Sequence, residues 1–408
     1  MKIIDGGITA PQGFNATGKH IGIKKIKKDI SLVTSDVPAT VAGAFTKNIV
    51  RAAHIIWDEK IVKEKRKVKG IITISGNANA CTGDQGLKDN EEMAQTFAKC
   101  IGADKSEIIT AATGIIGLKM PMDIIIPGIM ETYKDIGHSR EDAKKAAKGI
   151  ITTDTFIKEI AIEINIAGKK VTIGGMAKGS GMVHPNMATV LSFITTDINI
   201  SQEMLQKALN HCIKETYNMI SVDGATSTND MAIVIANGMA ENDEINEESE
   251  DFEIFKNALY VIHEKFAKDI VHDGEGSQKF IEVKVFGAKS DTDARILAKS
   301  IVNDNLVKTA MYGEDANWGR IMAAMGSSGG LFNPNTVDIV FENEKGLIQL
   351  MRKGEPIAFD ENLAAEILGQ EDITIDIFLR DGTSFATAWG CDLGHEYIRI
   401  NGEYRMRT

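Results

Sequence analysis

The alternation of Ile160, Ile162, Ile164 and Ile166, interrupted by Gly168 and resumed at Val171-Thr172-Ile173, most restricts what this chain can fold into. A period of two gives each strand one apolar face, and a glycine between two such runs turns the chain back on itself. A sheet built this way must bury that face against a second layer. Further strand-like runs are Ile71 to Ser75, Met231 to Ala236, Phe280 to Phe286, Val337 to Phe341 and Ile373 to Leu379, with Asp381-Gly382 read as a hairpin turn. Helical spacing predicts helices at Met93, Phe97, Cys100 and Ile101, stopped by Gly102, and at Met204, Leu205, Ala208, Leu209 and Cys212. Phe252, Phe255, Leu259, Ile262 and Phe266 mark another, preceded by an acidic stretch from Glu241 to Glu253 that suits a helix N-terminus. Asp291 to Val302 is one more. Ser139-x-x-Asp142 opens an Ala/Lys-rich helix in capping-box fashion, and Gly149 is read as its end. Strands in adjacent pairs and helices in separate blocks predict an α+β fold. The expected architecture is a layered sandwich with mainly antiparallel sheets, not a doubly wound parallel sheet.

Several function classes drop out early. With 46 Lys+Arg against 57 Asp+Glu the formal net charge is −11, the wrong sign for a general nucleic-acid binder. No apolar run approaches the roughly 18 residues of a membrane span, so no membrane partner is expected. The start, MKIIDGGITAP, lacks the apolar stretch of a secretory signal, which makes the cytoplasm the expected compartment. Cys81, Cys100, Cys212 and Cys391 lie far apart, without a CxxC pair, and read as isolated thiols. There is no P-loop and no GxGxxG after a strand. His263-Glu264 and His395-Glu396 begin like a zinc-binding HExxH, but Ala267 and Arg399 stand where the second His belongs. The GSSGG run from Gly326 to Gly330 fits GxSxG, yet a helix-like segment, Trp318 to Met325, precedes it where a nucleophile elbow needs a strand.

The densest unusual stretch is GGMAKGSGMVHPNMATVLSFITTD, Gly174 to Asp197. Its glycines open backbone conformations closed to other residues, and Pro185 restricts His184 before it. The loop ends in Met187-Ala188-Thr189, after which Val190 to Ile194 reads as a buried strand. A Thr at the start of a core strand, after a shaped loop, is where an N-terminal-nucleophile enzyme keeps its nucleophile. Small Ala188 leaves its carbonyl open to the Thr189 hydroxyl, so an N-to-O acyl shift followed by ester hydrolysis would free the Thr189 α-amine. An α-amine has a pKa of roughly 7.7–8.0, close enough to neutrality to serve as the base that a Thr hydroxyl needs. Acyl transfer also needs an oxyanion hole, and Thr113-Gly114, in AATGIIG after Glu107-Ile108-Ile109, offers a hydroxyl and a backbone N–H. The plainer alternative is that the glycines make turns and Thr189 is one more strand threonine.

At these residues the chain resembles the glutamate N-acetyltransferase (ornithine acetyltransferase) family of arginine biosynthesis. The likeness runs nearly end to end. It includes SGNANACTGDQG (Ser75 to Gly86), AATGIIG, SVDGATSTND (Ser221 to Asp230), HDGEGSQKFIEV (His272 to Val283), LVKTAMYGEDANWGRIMAAMG (Leu306 to Gly326), AWGCDL and YIRINGEYR. The resemblance implies a layered fold of the kind shared with the DmpA aminopeptidases, with cleavage of the Ala188–Thr189 bond. The products would be an α chain, 1–188, and a β chain, 189–408, assembled as an α2β2 heterotetramer. It implies ping-pong transfer of acetyl from N2-acetyl-L-ornithine to L-glutamate, without cofactor or metal; some members also use acetyl-CoA as acetyl donor, and no residue here separates the two kinds. Carried over by position, Thr189 is the nucleophile and Thr113 and Gly114 form the oxyanion hole. Thr152 (in ITTDT), Lys178 (in MAKGSG), Glu275 (in DGEGS) and Asn401 (in RINGEYR) bind substrate, with Lys178 suited to a carboxylate and Glu275 to an ammonium. The bland reading of Lys178 and Glu275 is a surface ion pair.

The chain departs from the family at Met406, where a Thr or Ser is usual five residues after the Asn, and it continues to Thr408. Met231 and Val190 also differ and read as packing changes. Two other functions are carried beside transfer: an aminopeptidase or amidase that uses the same Thr189, and a non-catalytic binding protein for acidic or acetylated amino acids.

Overall fold

The computed structural model describes residues 1–184 and 190–403. Its strands, in chain order, are β1 (Lys2–Ile4), β2 (Phe14–Lys19), β3 (Ile30–Phe45), β4 (Val68–Asn77), β5 (Ile108–Ile115), β6 (Lys158–Ile166), β7 (Lys169–Lys178), β8 (Leu191–Thr196), β9 (Ile220–Ser221), β10 (Met231–Ala236), β11 (Phe280–Ala288), β12 (Asp338–Asn343), β13 (Gly346–Arg352), β14 (Glu355–Pro356), β15 (Asp372–Phe378) and β16 (Ser384–Cys391). The first sheet runs β1-β6-β7-β8-β10-β3-β4-β5, with β2 on β3, and the second runs β14-β13-β12-β15-β11-β16-β9. Neighbours are antiparallel except at β8·β10, β4·β5, β11·β15 and β16·β9. The fold is therefore α+β, two layered and mainly antiparallel sheets, as the strand spacing predicts.

The isoleucine alternation forms the β6–β7 hairpin, in register from Lys158↔Ala177 to Ile166↔Lys169. The helices are α1 (Ala53–Lys63), α2 (Gly83–Ile101), α3 (Met122–Tyr133), α4 (Arg140–Ile150), α5 (Gln202–Glu215), α6 (Glu250–His272), α7 (Asp291–Asn303), α8 (Asn305–Tyr312), α9 (Trp318–Ser327), α10 (Glu361–Leu368) and α11 (His395–Gly402). Ile162, Ile173, Ile194 and Val234 turn one face of the first sheet into the largest core, shared with α5, α6, α7 and the second sheet. Met176, Phe193, Ile233 and Ile235 face the other way, onto α1 and α4. That both faces of the first sheet are covered explains why β10, MAIVIA, reads as continuously apolar. No described helix is long and apolar enough to cross a membrane.

Two local expectations change. Asp381-Gly382 does not close a hairpin, because β11 lies between β15 and β16 and pairs with both. Gly149 does not end α4, which runs on to Ile150. A Cβ there would overlap the Ile30 carbonyl, and the Gly149 carbonyl accepts a 2.7 Å bond from Ser75 Oγ, so the glycine serves close packing.

Candidate active site

β4 and β5 are parallel neighbours whose register breaks at their C-terminal ends: Ser75 pairs with Thr113 and Gly76 with Gly114, while Asn77 meets both Thr113 and Ile115. Gly114 has φ +136°, and a Cβ on it would overlap the backbone of Gly76 and Asn77. Only glycine fits that corner. The Thr113 hydroxyl accepts a 3.4 Å bond from Lys178 Nζ at the end of β7, which leaves its own proton to donate.

Thr113 and Gly114 open onto a cavity of about 330 Å³, a size that suits a small ligand. Thr152, Lys178, Glu275 and Asn401 line the same cavity. Every described residue that the sequence assigns to the site thus meets the others there. Thr189 and Ala188 lie outside the described residues, as do Met406 and Thr408. Val190, next in the chain to Thr189, is buried and lines the cavity, so its departure bears on the site as well as on packing. Met231 is buried core.

Lys178 and Glu275 are only 9% and 7% exposed, which excludes a surface ion pair. Asn401 Nδ2 donates to Glu275 Oε2 at 2.8 Å, joining α11 to the loop after α6. Gly181 is glycine because a Cβ there would overlap the Glu275 carboxyl.

Beneath these residues lies a buried charge network that the sequence reading missed. Asp154 Oδ1 accepts from Lys158 Nζ at 2.9 Å and from the Gly179 N–H at 2.8 Å, and Oδ2 accepts from the Thr152 N–H at 2.9 Å. Lys158 Nζ also donates to Asp273 Oδ2 at 2.5 Å. Ser180 Oγ donates to the Asp273 carbonyl at 2.6 Å, and the Glu275 N–H donates to the Ser180 carbonyl at 3.0 Å. One network therefore fixes the Thr152 loop, the end of β7 and the Glu275 loop. Burial pushes the Asp154 carboxyl up, but Lys158, Lys178 and its hydrogen bonds outweigh burial and hold it below the usual carboxylate range. The i,i+4 spacing of Asp154 and Lys158 was visible in the sequence, but their burial was not.

Ser227, Thr228, Asn229 and Asp230, just before β10, also line the cavity. They fall within SVDGATSTND, Ser221 to Asp230, a motif from which the sequence assigns no site residue. Burial pushes the Asp230 carboxyl well above the usual range, against the pull of Ser227 and Lys178.

A family model described as ArgJ family matches residues 15–406. The arginine biosynthesis bifunctional protein ArgJ of Caldanaerobacter subterraneus subsp. tengcongensis is 47% identical over 405 residues, covering 99% of this chain and 100% of its own. Its namesake in Thermotoga neapolitana is 45% identical over 396 residues, 97% of this chain and 99% of its own. Among solved structures, ArgJ of Bacillus halodurans is 46% identical with a TM-score of 0.50, and the match covers 53% of this chain and 100% of that one. Matched over nearly its whole length, the chain belongs to the ArgJ family and is an acyltransferase of arginine biosynthesis.

Proposed function

We propose that the chain cleaves itself between Ala188 and Thr189 and then carries acetyl from N2-acetyl-L-ornithine to L-glutamate on the Thr189 hydroxyl. The observation that carries this reading is the single cavity lined by Thr113, Gly114, Thr152, Lys178, Glu275 and Asn401, with Val190 at its wall. The size of the solved relative adds support. That whole chain spans 53% of this one, close to the share of residues 189–408.

In the first half-reaction the Thr189 oxygen bonds to the acetyl carbonyl carbon, and its proton passes to the Thr189 α-amine. The Thr113 hydroxyl and Gly114 N–H stabilise the oxyanion. The C–N bond breaks, the departing ornithine nitrogen takes the proton, and an acetyl ester remains on Thr189. In the second half-reaction the glutamate amine attacks that ester, gives up a proton, and restores the hydroxyl as N-acetylglutamate leaves. Lys178 holds a substrate carboxylate and Glu275, oriented by Asn401, an ammonium; Thr152 adds a hydroxyl. The atoms balance without a metal or cofactor. Acetyl-CoA as an alternative donor, an α2β2 assembly and a cytoplasmic setting complete the proposal.

Denaturing electrophoresis with N-terminal sequencing tests the cleavage. Two fragments are expected, one beginning Thr-Val-Leu-Ser-Phe, and a single band near 44.3 kDa contradicts it. Consumption of acetylornithine should depend on glutamate; equal consumption without it makes the enzyme a hydrolase. Release of CoA from acetyl-CoA and glutamate decides the second donor.

A further inference from the structure

Asn229 spends its amide nitrogen on two backbone carbonyls at the corner that holds Thr113 and Gly114. Its Nδ2 donates to the Ala112 carbonyl at 2.9 Å and to the Ala78 carbonyl at 2.5 Å. Ala112 immediately precedes Thr113 on β5, and Ala78 follows the end of β4, its N–H donating to the Ile115 carbonyl at 3.0 Å. One amide thus pins both strands on either side of their register break. Among the described residues β5 is the last strand of its sheet and pairs with β4 alone.

Asn229 is itself fixed. Its Oδ1 accepts from the Thr228 hydroxyl, its N–H donates to Ser227 Oγ at 3.2 Å, and its carbonyl lies 2.9 Å from His54 Nε2. His54 is fully buried, and burial lowers its pKa to about 4, so the ring is neutral at pH 7 and carries its proton on Nε2 to make that bond. Asn229 is 5% exposed and lines the cavity.

We propose that Asn229 is a positioning residue for acyl transfer: by holding the Ala112 carbonyl it fixes the peptide plane that leads into Thr113, and so aims the Thr113 hydroxyl and Gly114 N–H at the oxyanion. The inference rests on the oxyanion role given to that pair. A peptide is planar, so the direction of one carbonyl sets the start of the next residue. Oxyanion donors work only when placed before the charge develops, and a shift of about 1 Å at such a group costs about 10²-fold in rate. Asn229 lies C-terminal to the proposed cut while Ala78 and Ala112 lie N-terminal to it, so the brace reaches from one fragment to the other.

The test uses the purified full chain and its Asn229→Asp variant, which keeps the shape of the side chain but removes its two donors. Asn229→Ala is the second variant. With acetylornithine and glutamate, kcat per cleaved enzyme should fall about 10²-fold, while KM for acetylornithine and the inhibition constant of ornithine stay within about twofold, because the side chains that hold the ground state are untouched. Combining Asn229→Asp with Thr113→Ala should cost clearly less than the product of the two single losses, because part of what Asn229 does acts through Thr113 and the rest through Gly114. An unchanged kcat, a loss shared with ornithine binding, or a double variant whose losses multiply overturns the proposal.

Hydrogen exchange read by mass spectrometry needs no activity. Peptides spanning 77–80 and 108–115 should exchange at least about tenfold faster in Asn229→Asp, and a peptide spanning 280–288 should not change. Unchanged exchange at 108–115 overturns the brace. A wild-type enzyme without transferase activity would instead overturn the proposed reaction, and the exchange result would still decide the brace.

Discussion

Lys158 shows how a site rests on residues that never touch a ligand. Its ammonium is fully buried between Asp154 and Asp273. Removing the cation leaves two buried carboxylates without their shared ion-pair partner, so Lys158→Met should destabilise the fold by about 3–5 kcal/mol, read as a lower urea midpoint. A change under about 1 kcal/mol would show that the network is not structural. Asp154, held below its ordinary value of 3.8, contributes stability that is present above that pH and lost as the pH falls below it. Buried histidines act earlier on the same acid limb. His54 and His263 are lowered by burial from 6.5 to about 4 and about 3, so only the unfolded chain takes up protons just below pH 6.5. Each costs up to about 1.4 kcal/mol per pH unit between its two values. Neither ring nitrogen of His263 has a hydrogen-bond partner among the described residues. Tm should therefore drop as the pH goes from 6.5 to 4, and His263→Phe should flatten that drop. A Tm constant over this range would refute the assignment. In the cavity, Thr113→Ala should lower kcat by about 10²-fold while leaving cleaved, folded protein; unchanged turnover would remove Thr113 from the oxyanion hole.

At the scale of elements, two glycines make opposite predictions. Gly114→Ala places a Cβ against Gly76 at a positive φ, and should cost at least about 1–3 kcal/mol in addition to the turnover it removes. Gly326, near the end of α9, faces open space, and Gly326→Ala should stabilise by roughly 0.5–1 kcal/mol. Thermal melts of the two variants check both signs. The contrast also marks what was legible in the sequence. Local periodicity located β6, β7, β10, α2, α5, α6 and α7, because one buried face repeats at the period of its element. It did not show that β11 would lie between β15 and β16, since pairing between distant strands leaves no local trace. That Thr113, Gly114, Thr152, Lys178, Glu275 and Asn401 belong together was legible through motif resemblance, and one cavity joins them. The Asp154–Lys158–Asp273 network and the Asn229 clamp were not legible, because an Asp, a Lys or an Asn reads the same in a sequence whether it meets water or a buried backbone.

For the whole molecule, the sheet order decides what a cut before Thr189 can do. β8 and β10, from beyond the cut, lie between β7 and β3, from before it. Gly174 pairs with Thr195 on one side, and Ile233 pairs with Gly43 on the other. The two fragments of the proposed cut would be threaded through one sheet and share its cores, so separating them would mean tearing the sheet apart. Under native conditions they should co-elute in equal amounts and part only in denaturant; a fragment that elutes alone would contradict this topology. Threading would also let the proposed break free the α-amine of Thr189 without loosening the strands that carry Thr113 and Lys178. Mass spectrometry of the enzyme incubated with acetylornithine alone, without glutamate, addresses that chemistry most directly. One added acetyl group is expected on the fragment that begins at Thr189, removed when glutamate is supplied. A C-terminal fragment that stays unmodified in donor, while ornithine is still released, would contradict that chemistry.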